Sequence, residues 1–450
     1  MLARNEFIGV VRNATAGLGF APEASMVTFP IDLFLVESDL SPIEQNIDKF
    51  IEGLTKWEST ITGKGLLKSP KVRVEGKDYK EAVTNMNTLF MRNLWGDGLP
   101  LLPPTDECVN WILRGTEISP DTEIGKVLPK GGIATVETLA VSLAMAGGRP
   151  EYLPVLIASV EAILNPELRH QKWQATSGSA YPVVIVNGPI AKQIRLNSGF
   201  GLVGPDPQHP AGGCIGRAIR LLQQNVGGAI PGVGTMAMFG GMRYTNAVFA
   251  EDEEDLPLGW EPLNVEYFGY PKGTNTVGVS IASGANNILR RGVGKETLEE
   301  EALTSLYIIT SYMSSFNAGG LDGYAEGTPG ILLISRPVVS QLASLGWTKE
   351  KVKEFLWENS KIPLSEIKRT GYIRWIEFEN LTETLQDLWP ITSKPENLMI
   401  VVAGGRHPTH AYWMQSMMAP KVVSVEIKLP SNWDELIKES EEDLGPIPAN

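Results

Sequence analysis

A strand, a tight turn and a helix follow one another three times in this chain, at residues 183–195, 331–345 and 399–418. Each strand is a short apolar run, such as Val183-Val184-Ile185-Val186, and a turn with glycine or proline follows it. Alternating strands and helices pack as helices against the faces of a sheet, unlike the elements of a bundle or a sandwich. The sequence therefore predicts an α/β (or α+β) fold with mixed sheets, and it leaves the strand order open.

The composition narrows the class of protein. The chain has 450 residues, enough for two or three domains, and its 43% of hydrophobic residues can bury a large core. Its net charge of −13 without a basic stripe argues against a nucleic-acid partner. Two cysteines exclude a disulfide framework and suit a reducing compartment. No apolar run approaches the roughly 18–20 residues of a membrane helix, so a cytoplasmic protein without membrane contact is expected.

Changes in composition divide the chain into four regions. They are a helical N-terminal segment at 1–57, a polar linker at 58–78, a glycine-rich α/β main domain at 79–290 and a C-terminal α/β domain at 291–450. The first region has predicted helices at 7–18 and 43–53 and a single strand at 26–30. Because so small a unit buries little surface and its strand has no neighbour, we expect it to form an interface with another chain. The alternative is an arm that packs on its own chain.

Glycine and polar residues are concentrated between residues 197 and 254. Open backbone amides bind anions, and Gly212-Gly213 directly precede a helix predicted to begin at Cys214, where the helix dipole is positive. Two hypotheses stay open: a pocket for a carboxylate or phosphate, or a wrapped loop whose arginines form structural ion pairs. The candidate substrate-binding residues are Asn187, Asn197, Arg217, Arg220, Asn225, Arg243, Asn246 and Arg406.

The two cysteines receive different interpretations. Cys214 at the predicted helix start is a possible reactive thiol, because a helix N-terminus favours the thiolate. Cys108 is predicted to lie in the core. The run from Gly199 to Gly204 matches the G-x-G-x-x-G spacing of dinucleotide sites, but the prolines that follow prevent an immediate helix and so disfavour that function.

Two of the four histidines, His407 and His410, follow a buried strand and a Gly404-Gly405 turn. Side chains after such a strand lie at the carboxyl edge of a sheet, where α/β proteins bind ligands. Either histidine is a candidate general acid or base. A metal site would need a third ligand, for which only His209 is plausible, so neither a metal nor a cofactor is predicted.

Several motifs resemble a poorly characterised bacterial family whose genes are associated with a small domain bearing Cys-Gly-Ser-Cys, in some members with selenocysteine as the first residue. They are Trp95-Gly-Asp-Gly-Leu-Pro, Thr135-Val-Glu-Thr-Leu-Ala, Ala146-Gly-Gly-Arg-Pro-Glu-Tyr-Leu-Pro, Val186-Asn-Gly-Pro, Ile215-Gly-Arg-Ala-Ile-Arg-Leu and Ala250-Glu-Asp-Glu. The match covers residues 80–290, and residues 5–57 resemble the end of the small domain. The resemblance implies a thiol-dependent enzyme whose reactive cysteine lies on a partner chain, since this sequence lacks that motif. Its motif positions correspond here to Glu137, Arg149, Glu151, Asn187, Arg217, Arg220 and Glu251, of which Glu137 and Glu251 are candidate catalytic residues.

Two functions are consistent with these features. The first is an enzyme subunit that acts on a small anionic organic molecule, as a lyase, a hydratase or a catalyst of reductive cleavage at a carbon–heteroatom bond. A histidine would move the proton and a partner chain would supply the thiol. The second is a non-catalytic subunit that binds substrate or docks the thiol-bearing chain. Both predict a hetero- or homo-oligomer.

Overall fold

The computed structural model describes residues 2–4, 8, 11–12, 27–29, 38–58, 71–240, 245–254, 256–291, 296–314, 327–378, 380–417 and 421–447. The strands are β1 Leu2–Arg4, β2 Val27–Phe29, β3 Glu123–Val127, β4 Gly132–Thr135, β5 Tyr181–Asn187, β6 Ala247–Ala250, β7 Thr276–Leu289, β8 Gly330–Ile334, β9 Lys361–Pro363, β10 Leu388–Pro390, β11 Met399–Val402, β12 His410–Ser416 and β13 Val423–Glu426.

The helices begin and end close to capping signals in the sequence; for example, Thr135, Thr297 and Thr348 each cap a helix with the side-chain oxygen. They are α1 Ser41–Glu44, α2 Ile47–Thr55, α3 Tyr79–Asn93, α4 Asp106–Leu113, α5 Val136–Met145, α6 Leu153–Leu164, α7 His170–Trp173, α8 Ile190–Gln193, α9 Pro210–Asn225, α10 Leu263–Glu266, α11 Leu298–Met313, α12 Arg336–Ser344, α13 Lys349–Asn359, α14 Leu364–Arg369, α15 Ile373–Phe378 and α16 Trp433–Leu444.

Seven strands form one mixed, curled sheet, which confirms the predicted α/β class. Their order is β11-β8-β12-β7-β5-β6, and β13 pairs with the N-terminal part of β7. The pairs β5–β6 and β8–β11 are parallel, whereas β7 and β12 are antiparallel to both of their neighbours on this path. The domain boundary predicted at residue 290 therefore falls between two strands of a single sheet.

The sheet consists of two halves with the same connectivity. In the first, β5 is followed by helices, by a parallel partner β6 and by an antiparallel partner β7 on the other side. In the second, β8, β11 and β12 repeat this pattern. The chain after the first strand of each half is also alike, Asn187-Gly-Pro in one and Ser335-Arg-Pro in the other. Antiparallel pairing of β7 with β12 relates the halves by an approximate two-fold axis.

Strands β5, β6, β8 and β11 are buried along their whole length, on both faces of the sheet. Inward-facing side chains such as Val183, Phe249 and Leu333 form the core inside the curled sheet. The alternate residues face outward, where Val184 packs under the helices of the first half and Leu332 under those of the second. Since successive strand residues point to opposite faces, each strand contributes to two hydrophobic layers at once. This explains why the strands read as continuous apolar runs.

The structure corrects three predictions about elements. Residues 410–416, expected in a helix, form β12 between β7 and β8, because Trp413 and Met414 are buried on opposite faces of the sheet. Helix α9 begins at Pro210, so Gly212 and Gly213 lie inside it. Strand β2 has a neighbour after all, since β1 pairs with it in parallel.

The remaining N-terminal predictions are only partly covered by the described residues. The helix predicted at 7–18 lies almost entirely outside them. The helix predicted at 43–53 is present as α1 and α2. In the linker predicted at 58–78, the described residues 71–78 contain no helix or strand. Among the described residues, no helix is both long and apolar enough to cross a membrane.

Candidate active site

The curling of the sheet brings the ends of β6 and β11 together at a seam between the halves. The Asp252 amide donates to the Val402 carbonyl at 2.7 Å, and the Gly404 amide donates to the Ser198 carbonyl at 2.9 Å. The carboxyl ends of the parallel pairs of both halves therefore meet at one place. Ligand sites in α/β proteins usually lie at such strand ends.

The side chain of Glu251 is buried at this seam and links its two sides by hydrogen bonds. Its side chain is fully buried and accepts hydrogen bonds from the Leu263 amide at 2.6 Å, from Asn187 Nδ2 at 2.7 Å and from the Val402 amide at 3.3 Å. Burial raises the pKa of this carboxyl, and the ammonium group of Lys349, 3.9 Å away, opposes the rise. A group enclosed in this way does not reach a substrate at the surface. The arrangement favours a structural role for Glu251, although the sequence predicted a catalytic one.

Three further charged side chains extend the buried group and were not predicted from the sequence. The Lys349 ammonium lies 3.7 Å from Glu266 Oε2 and donates to the Glu261 carbonyl at 3.0 Å, while Lys353 donates to the Glu266 carboxylate. Both lysines are almost fully buried, and burial lowers the pKa of Lys353. Both lysines lie on α13, and in the sequence they look like the exposed lysines of any surface helix. No local signal therefore predicts that they are buried.

His407 and His410 lie together just beyond β11, as the sequence predicted for the carboxyl edge. Their Nδ1 atoms are 2.9 Å apart, and Thr409 Oγ1 lies 2.9 Å from His407 Nδ1 and 3.2 Å from His410 Nδ1. Two facing nitrogens at this distance share a single proton, because one must donate while the other accepts. Burial and the neighbouring His407 lower the pKa of His410 from its usual 6.5. His407 is exposed to solvent and His410 is half-buried.

Charged side chains cluster around Glu254, two residues beyond Asp252 at the seam. The hydrogen bond from Lys192 lowers the pKa of Glu254, and the nearby guanidinium groups of Arg336 and Arg406 lower it further. Arg336 also lies 3.7 Å from Asp252. Among the described residues, exposed Arg406 makes no hydrogen bond or ion pair within 4.0 Å, so its charge is available to an anion.

The arginines of the glycine-rich region lie elsewhere. The guanidinium of Arg217 donates two hydrogen bonds, of 2.7 and 3.0 Å, to the carboxylate of Asp97. It also donates to the carbonyls of Leu99 and Pro100. Burial raises the pKa of Asp97, but the hydrogen bonds from Arg217 and the Leu99 amide outweigh it and leave this pKa lowered. Arg220 is 1% exposed and donates to Gln224. This arrangement favours the structural ion-pair interpretation over the anion pocket.

The glycines of α9 serve packing. A methyl group on Gly212 would lie 2.5 Å from the Val248 carbonyl oxygen, and one on Gly216 would lie 2.2 Å from that of Thr245. Helix α9 thus approaches β6 more closely than any side chain would permit.

The candidate asparagines stabilise turns and the seam. Asn187 binds both Glu251 and Glu253 through Nδ2. Asn197 donates to the Phe200 carbonyl and Asp206, and Asn246, in a left-handed conformation, donates to the Gly216 carbonyl. Asn225, at the end of α9, has a buried Oδ1 without a described partner. Asn187 lies at the seam through its side chain, and Asn197 through its carbonyl, which accepts from the Ala250 amide at 2.8 Å.

Four other predictions change or stay open. Cys214 lies inside α9, and burial raises the pKa of its thiol to about 11, the opposite of the predicted activation. Cys108, expected in the core, is exposed. Glu137 is exposed in the first turn of α5. Arg243 lies outside the described residues.

A buried arginine behind the histidines also escaped the sequence analysis. Arg290 is 3% exposed and lines a narrow cavity with Ser305, Thr409 and His410. Its guanidinium lies 3.4 Å from the carboxylate of Glu301 on α11. Because the two residues belong to different elements, the sequence alone does not predict this ion pair. In the part of the chain that the structure describes, no group of three or more histidine, cysteine or acidic residues could hold a metal ion.

Comparison of the chain with protein-family models, with curated proteins and with solved structures found no match in any of the three.

Proposed function

We propose that this protein is an enzyme subunit that catalyses proton transfer on a small organic anion, with His407 and His410 as the catalytic pair. The observation that carries the proposal is the 2.9 Å contact between the two Nδ1 atoms at the open end of the seam. In such a pair one facing nitrogen donates and the other accepts, so the two rings differ in role as acid–base catalysis requires. Arg406 beside the pair supplies a cation that could bind a carboxylate.

Of the three reaction classes expected from the sequence, a lyase or hydratase reaction suits this pair best. Addition or elimination of water or an amine requires one proton to be removed from carbon and one to be given to the leaving group. A histidine pair with one shared proton provides both groups. Reductive cleavage requires a two-electron reductant, such as a pair of thiols that becomes a disulfide, and the raised pKa of Cys214 makes that residue a poor nucleophile. A thiol step would thus depend on the partner chain that the family resemblance implies.

The test is a search for hydration, elimination or hydrogen–deuterium exchange in D₂O. Hydroxylated and unsaturated carboxylic acids of three to six carbons would be incubated with the protein and followed by proton NMR. We expect His407→Gln and His410→Gln each to reduce turnover at least 100-fold without changing the melting temperature. His209→Gln is the matched control, since this histidine binds Asp206 instead. Turnover that survives in both variants would contradict the proposal.

A second candidate function, docking of another chain, is supported by helix α2. Among the described residues none of its side chains is buried, and Ile47, Ile51 and Leu54 are 50, 52 and 84% exposed. Their spacing places them on one face. Deletion of residues 1–57 tests this function by size-exclusion chromatography with light scattering. A smaller assembly with a folded core is expected for a docking segment, and an unchanged assembly would exclude it.

A further inference from the structure

Strand β7 extends beyond the strand beside it, and half of one of its edges is therefore open. Strand β5 begins at Tyr181, opposite Ala282, so residues 283–289 of β7 lie past its end. On its other side this part of β7 pairs with β12. Among the described residues, no strand pairs with the open side and no hydrogen bond is made to it. Every residue from 276 to 282 is buried, whereas all of residues 283–289 except Ile288 are half-buried or exposed.

The backbone groups that face this open edge belong to Ala285, Asn287 and Leu289. The Arg290 amide donates to the carbonyl of Thr409, the residue opposite it, so Arg290 directs its backbone groups toward β12. Successive residues of an antiparallel strand direct their N–H and C=O groups to alternate sides. Every second residue before Arg290 therefore also bonds to β12, and the three residues between them present their groups to solvent.

An edge of this kind is usually protected in a protein that works as a monomer. Lysine, proline, an inward-pointing charge or a covering helix prevents a second strand from pairing there. Residues 283–289, Ser-Gly-Ala-Asn-Asn-Ile-Leu, contain no charged side chain and no proline. A Cβ atom on Gly284 would meet no other atom within 4 Å, so nothing in the described chain covers the strand at that point.

Several features of the edge favour a second copy of the chain as the partner. The chain has a net charge of −13, so two copies repel each other least where they meet through an uncharged strip. Antiparallel pairing about Asn287 places Ala285 of one copy opposite Leu289 of the partner subunit, and Asn287 opposite its own copy. All of the outward-facing backbone groups then have partners, because a two-fold axis matches one edge with itself. The exposed Asn287 amide carries both a donor and an acceptor for its copy.

A cavity of about 350 Å³ beside the open edge provides further contact area. Ser283 and Gly284 form part of its wall, and Met238 and Phe239, which are 68% and 96% exposed, also line it. In the paired arrangement Leu289 of the partner subunit, 39% exposed in the single chain, lies next to the Gly284 side of this wall. Burial of these apolar side chains would stabilise the pair.

We infer that residues 283–289 form a homodimer interface, in which the sheets of two copies join through antiparallel β7 strands. Addition of a strand to an open sheet edge is a common mode of protein association. The interface does not involve helix α2, which the second candidate function assigns to docking.

Charge at Asn287 tests this pairing, because the two-fold axis places the residue opposite its own copy. Asn287→Asp and Asn287→Lys each bring two like charges together, and each should weaken the dimer roughly tenfold or more in Kd. An equimolar mixture of the two variants should restore the dimer, since opposite charges then face each other. Asn287→Thr, uncharged and favourable in strands, is the matched control and should stay dimeric. Size-exclusion chromatography with light scattering measures the molar mass of the full chain over a concentration series.

Hydrogen exchange with residue resolution locates the interface within β7. The amides of Ala285, Asn287 and Leu289 should be protected in the dimer and should exchange rapidly in Asn287→Asp. The amides of Asn286 and Ile288, which bond to β12, should stay protected in both.

Three results would overturn the inference. The first is a natural chain that stays monomeric throughout the concentration series. The second is a dimer that persists in both charged variants, that their mixture fails to restore, or that dissociates in Leu54→Asp on α2 instead. The third is protection of the outward-facing amides in a monomeric variant, because the chain itself would then cover the edge.

Discussion

Replacement of Glu251 by alanine should destabilise the protein by about 5 kcal/mol. The carboxylate accepts three hydrogen bonds from buried donors. Its loss leaves the Leu263 and Val402 amides without a partner, at about 1–3 kcal/mol each, whereas Asn187 Nδ2 keeps Glu253. Lys349 loses one of its carboxylate neighbours but keeps the Glu261 carbonyl and Glu266, which moderates the cost of its buried charge. The estimate therefore lies in the upper half of the range for two unpartnered amides, with the weakened pairing of Lys349 added.

The assay is urea unfolding of the full chain, followed by tryptophan fluorescence. Glu251→Gln keeps an oxygen acceptor and should cost less, about 2–3 kcal/mol, so it remains measurable if the alanine variant does not fold. Glu137→Ala, an exposed glutamate, is the control and should stay within about 1 kcal/mol of the natural protein. A different result would contradict the structural role. If the free energy of unfolding of Glu251→Ala stays within about 1 kcal/mol of that of the natural protein while enzymatic activity is lost, Glu251 is catalytic.

Three further changes have definite expected outcomes. Arg217→Glu should lower the melting temperature, because it breaks the ion pair with Asp97, and the double variant with Asp97→Arg should recover part of the loss; no recovery would contradict the pairing. Since the pKa of Asp97 is lowered, the pair's contribution should be present above pH 4 and fade as pH falls below it. Gly216→Ala should cost about 3 kcal/mol or more by its 2.2 Å clash with a carbonyl, whereas Gly213→Ala, with 3.9 Å of room, should stabilise α9 slightly in the same denaturation assay. Because the pKa of His410 is lowered from 6.5, acidification below pH 6.5 should destabilise the fold, and His410→Gln should remove that part of the pH dependence measured by thermal unfolding.

Local chemistry made parts of the fold predictable from the sequence. Threonine caps such as Thr135 and Thr348 act within a few residues. The glycine turn before His407, which the sequence predicted, is equally local. The closeness of His407 and His410 is also local, because they are three residues apart. These signals are short-range and do not depend on the rest of the chain.

Other parts depend on partners that are distant in sequence. The role of Arg217 depends on its ion pair with Asp97, which lies 120 residues earlier in the chain. No sequence signal near either residue predicts that they pair. Strand β12 was mistaken for a helix because both faces of it are buried, so its apolar residues lack the alternation that identifies a strand. The burial of Glu251 likewise follows only from the closure of the sheet.

The approximate two-fold relation between the halves has a consequence for the order of folding. The ladders β5–β6, β5–β7, β8–β11 and β8–β12 each lie within one half, and each half has its own outer core beneath its own helices. The halves meet along β7–β12, in the core inside the curled sheet and at the seam. Each half can therefore form its native ladders over shorter loops than the one between Leu289 and His410, which pair across the halves. Contacts over shorter loops have a lower entropic cost and are expected to form first. Amide exchange should follow the same division, with the seam amides of Asp252 and Gly404 opening before those inside either half.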